Sequence, residues 1–465
     1  MSERRSIRAW PVPDSGLGNS SFLAEVADGA ALAVDPGRDP RPYLETAAAN
    51  GLRIAFTADT HVHADFASGS RELAGLGARL LAPAGSLLSF PHEELRDGED
   101  LDLGGLTLRP LATPGHTPEH LSYLLLDGGT PVAVFTGGAL ISGGVARTDL
   151  AAAANAETWT RAAYRSARSL LDALPDDLPV FPTHGPGSFC SAGEADGHAT
   201  TIGREKTGNP LLTGADEEAF TAALLARLGS YPAYFDRMPA LNRRGVPRHG
   251  GNRPPLAKLT AVHVAALADR GATIVDARPI AAFSAAHIPG ALSNELRPAF
   301  TTWLGWLADP DKPLVVILGP GQDRDELTEA CLKAGYDDLA GELDGGMDAW
   351  RAAGLPTVSI PIFDPDSLYT QHRCLVLDVR QRTEWDAGHL PGAFHAELGS
   401  IRDAAVSRRL PDEVLAVMCG HGQRAMTAAS LLGAARLTSL SVLRGSPADW
   451  AKAAGQELET RYPGR

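Results

Sequence analysis

Apolar runs and polar breaks alternate at short spacing through the first half of the chain. Residues 20–37, SSFLAEVADGAALAVDPG, read as two apolar strands joined by an Asp-Gly turn. LRIAFTADTHVHADF is an apolar strand that runs into a polar, histidine-bearing loop. GLTLRPLATPGHTPEHLSYLLLDGGTPVAVFTGG supplies three more strands with loops between them. Helical patterns fall in the gaps, as in RPYLETAAANG, which ends on a glycine. Strand, histidine-bearing loop and helix, repeated, predict a layered α/β domain whose chemistry sits on the loops at the strand ends.

The texture changes over 229–256, GSYPAYFDRMPALNRRGVPRHGGNRPPL, which is rich in Pro, Gly and Arg and lacks periodicity. It reads as a linker wrapped on a surface. Beyond it the chain repeats itself. TIVDARPIAAFSAAHIPGAL matches LVLDVRQRTEWDAGHLPGAF, and Asp276 and His287 recur as Asp378 and His389. Each copy continues with an apolar strand and a helix, and each closes on a tryptophan. Two copies of about 100 residues predict two small α/β domains from one duplication. The expected boundaries are 1–228, 229–256, 257–360 and 361–465.

A chain of 465 residues exceeds one core and agrees with several domains. Its 44% hydrophobic and 21% charged residues suit a globular protein. A net charge of −14 argues against nucleic acid as a partner. There is no apolar run of membrane-spanning length and no secretory h-region near the first residue, so a cytoplasmic protein is expected. The cysteines Cys190, Cys331, Cys374 and Cys419 are widely separated and form no CxxC pair, which favours a reducing compartment over a disulfide framework. Cys331 and Cys374 read as core.

In the second copy the strand VLAVM leads into CGHGQR, residues 419–424, and then a helix. A strand, a tight glycine-containing loop and a helix start place Gly420, His421, Gly422 and Gln423 around an anion cradle. A thiol at its base is expected to ionise readily, and Arg424 is expected to supply a two-pronged cationic donor. Such a loop suits a cysteine that accepts a sulfur atom as a persulfide and passes it on. The alternative is a buried, inert cysteine. The first copy has Leu318 and Asp323 in place of Cys419 and Arg424, so a scaffold role is expected for it.

C-x-x-G-x-R after an apolar strand, with D-x-R and H-L-P-G-A upstream, resembles the rhodanese sulfurtransferases. The resemblance implies Cys419 and Arg424 as catalytic residues. A six-residue loop favours sulfur transfer over the phosphate-ester chemistry of the related phosphatases.

THVHADF carries His61, His63 and Asp65. TPGHTPEH adds His116 and His120, and PTHGPG adds His184. H-x-H-x-D with later G-H-T and T-H-G resembles the metallo-β-lactamase fold superfamily. TADTHVHADFASGS, TPGHTPEHLSY and TIGREKTGNPLL resemble its persulfide dioxygenase and hydroxyacylglutathione hydrolase branch. The whole chain is similar to bacterial persulfide dioxygenase–rhodanese fusions. The implied architecture is a metallo-β-lactamase-like αββα sandwich followed by an inactive and an active rhodanese-like α/β domain.

The chain departs from the family where Phe66 replaces a histidine ligand and Gly138 replaces an aspartate ligand; Gly144 stands at a second aspartate-type position. In two-metal relatives one site matches His61, His63 and His116, and the other matches Asp65, position 66 and His184. The second site is therefore reduced to Asp65 and His184, and a two-metal hydrolase is not expected. The mononuclear iron dioxygenases of the branch match His61, His116 and position 138, so the chain lacks their carboxylate. His61, His63 and His116 remain as a neutral set for one Fe(II), with Zn(II) or no metal as the alternatives. Asp65, His120 and His184 are expected behind the ligands, and His92 and His198 in solvent. An aspartate restored at 138 is expected to raise iron affinity if the old site persists.

Three functions remain. One is rhodanese-type sulfur transfer at Cys419 with an impaired first domain. Another is a bifunctional persulfide dioxygenase–sulfurtransferase. The third is a non-catalytic sulfur carrier. The implied partners are a low-molecular-weight thiol persulfide, thiosulfate or sulfite, with no nucleic acid and no membrane. A homo-oligomer is expected by resemblance only.

Overall fold

The computed structural model describes residues 7–151, 153–192, 197–365, 375–402, 415–435, 437 and 439–460. Cys374 lies outside the described residues. The chain divides into two compact units, Met1–Pro254 with Thr328–Asp337, and Pro255–Leu327 with Asp338–Arg465.

The first unit holds two six-stranded sheets. One contains β1 (Ala9–Asp14), β2 (Asn19–Ala27), β3 (Ala30–Val34), β4 (Arg53–Ala58), β5 (Arg79–Pro83) and β6 (Glu93–Leu95), side by side in that order. Its first two pairings are antiparallel and the rest are parallel. The other runs from β7 (Leu101–Asp102) through β8 (Thr107–Ala112), β9 (Leu121–Asp127), β10 (Thr130–Gly137) and β11 (Pro179–Pro182) to β12 (Thr200–Thr201).

Period-two alternation sorts the apolar side chains into three layers. Phe22, Leu32 and Phe56 of the first sheet meet Leu108, Tyr123, Leu125 and Phe135 of the second in the core between them. The opposite face of the first sheet, with Leu23, Ala31 and Ala33, packs under α1 (Arg41–Ala49) and α2 (Ser70–Gly75). Leu124, Leu126 and Val134 turn the other way. They pack under α3 (Ala156–Ala173), α4 (Ile202–Gly208) and α5 (Glu217–Arg227). The result is a four-layer αββα sandwich.

Of the segment 229–256, residues 229–254 belong to this unit. It forms a short 3-10 turn, Ala233–Asp236, and α6 (Met238–Arg244). Tyr234, Phe235, Met238 and Val246 are buried, so the apolar residues among its prolines and glycines anchor it. It also straps the THVHADF loop. The Tyr234 hydroxyl donates to the Asp65 carbonyl at 2.6 Å. The Asn242 amide donates to the carbonyls of His63 and Phe66 at 2.8 and 2.9 Å. These bonds satisfy buried carbonyls that a loop leaves without a ladder partner.

The second unit contains two five-stranded parallel sheets of one topology. The first copy comprises β13 (Lys258–Leu259), α7 (Ala261–Asp269), β14 (Thr273–Asp276), α8 (Ile280–Ala285), β15 (Leu292–Ser293), α9 (Phe300–Leu307), β16 (Leu314–Ile317), α10 (Arg324–Lys333), β17 (Leu339–Leu343) and α11 (Gly346–Ala352). The second comprises β18 (Ile362–Phe363), β19 (Leu375–Asp378), α12 (Arg382–Ala387), β20 (Phe394–His395), β21 (Leu415–Met418), α13 (Gln423–Ala434), β22 (Leu440–Leu443) and α14 (Pro447–Ala454). Strand orders are β13-β17-β16-β14-β15 and β18-β22-β21-β19-β20.

The motifs shared by the two copies make the same local bonds in each. Arg278 folds back on Asp276 with contacts of 2.8 and 2.6 Å and donates to the Ala286 carbonyl. Arg380 does the same with Asp378 and the Gly388 carbonyl. His287 and His389 stack on Phe283 and Trp385 at 3.7 and 3.6 Å.

Gly18 joins the first sheet to the loop after β11. Its φ is +70°, and a Cβ there would sit 2.3 Å from the Ser188 nitrogen. Gly18→Ala is expected to cost roughly 2 kcal/mol or more, because both the conformation and the space forbid the methyl group. Urea unfolding should show the first unit's transition shifted to lower denaturant.

Candidate functional site

The loops at one end of the sandwich bring the histidines together. His61 and His63 follow β4, His116 lies between β8 and β9, and His184 follows β11. All four are buried. One donor nitrogen each of His61, His116 and His184 lies within 4.8 Å of the other two.

The second ring nitrogen of each histidine is already occupied. The Nδ1 of His61 lies 2.8 Å from the Thr60 hydroxyl, that of His116 2.6 Å from the Arg147 carbonyl, and that of His184 3.2 Å from the Asn19 amide oxygen. The Nε2 atoms of His61 and His184 are buried without a partner. An oxygen on Nδ1 fixes the ring, and a bare Nε2 is the arrangement a metal-binding histidine needs. Burial, reinforced by the neighbouring rings, keeps all three neutral; His116 and His184 are pushed down to about 3 and His61 well below its ordinary value. Neutral imidazoles are the ligating form. These residues can hold a metal.

His63, expected beside His61 and His116, makes a different contact. Its Nε2 faces the Asp35 carboxylate at 3.2 Å, and its ring stacks on Phe66 with centroids 4.3 Å apart. Burial alone would lower its pKa, but Asp35 outweighs it and raises it to about 9. His184, expected behind the ligands, stands with His61 and His116 instead. His120 uses both nitrogens, one at 2.9 Å from Thr113 and one accepting from Gly138 N–H at 3.0 Å. His198 is exposed, as expected, and its Nδ1 lies 2.6 Å from the Ser20 hydroxyl.

Gly138 is more than a missing carboxylate. A Cβ there would fall 2.7 Å from His116 Cδ2 and 2.8 Å from the Ala146 methyl. The His116 ring occupies the space a side chain would need, so the condition set for an aspartate at 138, that the old site persists, is not met without moving His116.

Asp35 and Cys190 carry no motif and were missed by the sequence reading. Asp35 ends β3 in a left-handed turn with φ +49° and is fully buried. Burial opposes its charge, yet His63 and the donors Thr183 and Thr60 hold its pKa below the ordinary value. An acid before Pro-Gly reads as a turn residue, which hid it. Cys190 approaches Asp65 and His184, with one donor atom of each within 4.8 Å of the others. Burial, with Asp65 beside it, pushes its thiol pKa well up.

In the second unit Cys419 is buried at the end of β21. Gly422, with φ +101°, turns its N–H onto the sulfur at 3.1 Å. Gly420, His421, Gly422 and Gln423 carry the chain from Cys419 into α13, with His421 exposed. Arg424 does not face the sulfur as a bare donor. Its two terminal nitrogens grip Glu384 at 2.6 and 2.7 Å. In the first copy Leu318 takes the cysteine's place, and Gln322 fills the loop. Gln322 accepts from Gly319 N–H and donates to the Ala277 carbonyl, both at 2.8 Å. Cys331 is buried in α10, and burial pushes it up to about 12.

Metal analysis after anaerobic loading separates the two sets of histidines. His184→Ala is expected to abolish stoichiometric binding, whereas His63→Ala is expected to leave a bound metal. Gly138→Asp is expected to lower occupancy, because the new side chain must displace His116.

A rhodanese-like domain model matches residues 260–353 and 365–453. The human mitochondrial persulfide dioxygenase is 31% identical over 189 residues, which are 38% of this chain and 66% of that protein. The chain thus spans just under two thirds of that relative. Hydroxyacylglutathione hydrolase of Chromohalobacter salexigens is 31% identical over 216 residues, 41% of this chain and 80% of the relative. The crystal structure of a metallo-beta-lactamase from Staphylococcus aureus subsp. aureus COL shares 28% identity and a TM-score of 0.63, covering 73% of this chain and 99% of its own. With an αββα sandwich in front and a duplicated rhodanese-like fold behind, the chain belongs to the persulfide dioxygenase–rhodanese fusions of the metallo-β-lactamase superfamily.

Proposed function

We propose that this protein is a sulfurtransferase of persulfide metabolism, carrying sulfur on Cys419. The observation that supports it best is the Gly422 N–H pointing at Sγ at 3.1 Å, at the start of α13. A backbone donor there stabilises negative charge on sulfur in both the free and the persulfide form. The thiolate attacks the outer sulfur of thiosulfate or of a thiol persulfide. A Cys419 S–S bond forms, the donor's S–S bond breaks, and sulfite or thiolate leaves with the electron pair. Sulfite or another thiolate then takes that sulfur and regenerates Cys419. A cytoplasmic, reducing setting suits the free cysteines Cys190, Cys331 and Cys419.

A second activity is favoured by the convergence of His61, His116 and His184. These residues would hold one Fe(II), which supplies persulfide oxygenation with O₂; Zn(II) fits the same donors. The chain's own residues set the ligands' tautomers through Thr60, Arg147 and Asn19 and keep all three rings neutral. The set differs from the family's two histidines and one carboxylate. A metal without an anionic ligand keeps more positive charge, and an oxygenase reaction impaired relative to the family is the reading we adopt.

Cys419→Ser is expected to abolish sulfur transfer from thiosulfate to cyanide while leaving the metal content of the first unit unchanged. Turnover equal to the parent's would remove Cys419 from the mechanism. A single sulfur retained on Cys419 with no turnover would identify a carrier instead.

A further inference from the structure

We propose that Arg297, on the copy that has no cysteine, supplies the anion-binding charge of the Cys419 site and selects small sulfur oxyanions, thiosulfate and sulfite. The proposal rests on the Cys419 reading and names the substrate class of that same site.

Arg424, the cation expected to serve this role, is already engaged. Both its terminal nitrogens are committed to Glu384, so the pair carries no net charge toward an incoming anion. Arg380 is likewise folded onto Asp378. Arg424 also acts on Cys419, but with Glu384 beside it, and a cation without a bonded carboxylate would hold an oxyanion there more strongly.

The first copy provides one. Helix α13, which starts at the sulfur loop, packs against β15 and α8 of the first copy. The Ser293 N–H donates to the Ser430 hydroxyl at 3.0 Å. A Cβ on Gly422 would sit 3.2 Å from the Ile280 Cδ1. Ile280 in turn donates its N–H to Glu295 at 3.4 Å, so Arg297, two residues after Glu295, lies on the segment that borders this Gly422 contact. Its guanidinium is half-buried and makes no hydrogen bond or ion pair among the described residues. Its charge nonetheless acts on both Cys419 and Arg424, with Glu295 as the near carboxylate.

Arg297 is not part of the repeat. Glu295 accepts from Ile280 N–H, and Glu397 accepts from Arg382 N–H in the same way. That shared bond fixes the alignment, and two residues further on the second copy has Gly399. The arginine is specific to the copy that faces the other's cysteine.

When Cys419 takes the outer sulfur of thiosulfate, the departing SO₃ group gathers two negative charges as sulfite. A guanidinium at the mouth stabilises that charge in the transition state and in the bound ions. An alkyl persulfide, which leaves as a thiolate without an oxyanion, does not need it.

The test compares full-length Arg297→Ala, Arg297→Lys and Cys419→Ser in sulfur transfer to cyanide. Thiosulfate and 2-mercaptoethanol persulfide serve as donors, and sulfite as product inhibitor. Arg297→Ala is expected to raise KM for thiosulfate roughly tenfold or more and to weaken sulfite inhibition in parallel, with the alkyl persulfide nearly unaffected. Arg297→Lys should recover part of the loss. Unchanged thiosulfate kinetics in Arg297→Ala would overturn the proposal, and so would an equal loss with both donors. Activity surviving in Cys419→Ser would instead overturn the underlying Cys419 reading, so the two failures are distinct.

Discussion

The Asp35 carboxylate ties together the strand ends that carry the histidine cluster. It accepts from the Thr60 N–H at 2.6 Å and the Thr60 hydroxyl at 2.8 Å, and it also takes the Thr183 hydroxyl and His63. One group thus ties the end of β3 to the loops after β4 and β11. Thr60 passes the constraint on, since its hydroxyl also touches His61 Nδ1. A buried carboxylate without a countercharge would be costly, and His63 supplies it. The ion pair and the neutral histidines lie side by side because Asp35 raises His63, whereas burial and the neighbouring rings lower His61, His116 and His184.

This division of labour gives the altered ligand positions a common physical sense. With His63 committed to Asp35, its ring becomes a flat surface, and Phe66 stacks on it. With no side chain at 138, the His116 ring fills that volume and Nδ1 finds the Arg147 carbonyl. The His184 ring then lies 5.0 Å from His116 and 5.5 Å from His61, near enough to close a three-nitrogen set. At 66 and 138, where the resemblance implies ligands, the residues present are fixed by packing. Neither can be replaced alone without disturbing a neighbour that depends on it.

Much of this was legible in the chain. The histidine spacings, the alternating strands, the duplication and the cysteine loop are local patterns, and local patterns survive reading without a structure. The partner of His63 was not legible, because Asp35 precedes Pro-Gly and resembles any turn acid. Nor was the strap over 229–256, where scattered Tyr234, Phe235 and Met238 do their packing without a period. The commitment of Arg424 to Glu384 depends on a helix forty residues upstream in sequence. Contacts of that kind arise from tertiary packing, and a motif records which residue is present but not whom it meets.

The duplication separates structural motifs from chemical ones more cleanly than any single copy could. D-x-R and the histidine before Pro-Gly occur in both copies and make the same bonds in both, an arginine folded onto its aspartate and an imidazole on an aromatic ring. They are there for the fold. The copies part at the loop after the central strand. In one, Gln322 bonds to Gly319 and Ala277 and closes the cradle from within. In the other, the cradle holds a sulfur with a backbone N–H directed at it. A loop that no longer needs to admit a ligand can satisfy its own polar groups, and its copy becomes free to present its surface to its neighbour. The bonds common to both copies therefore carry the fold, and the copies differ where one loop is closed by Gln322 and the other holds a sulfur.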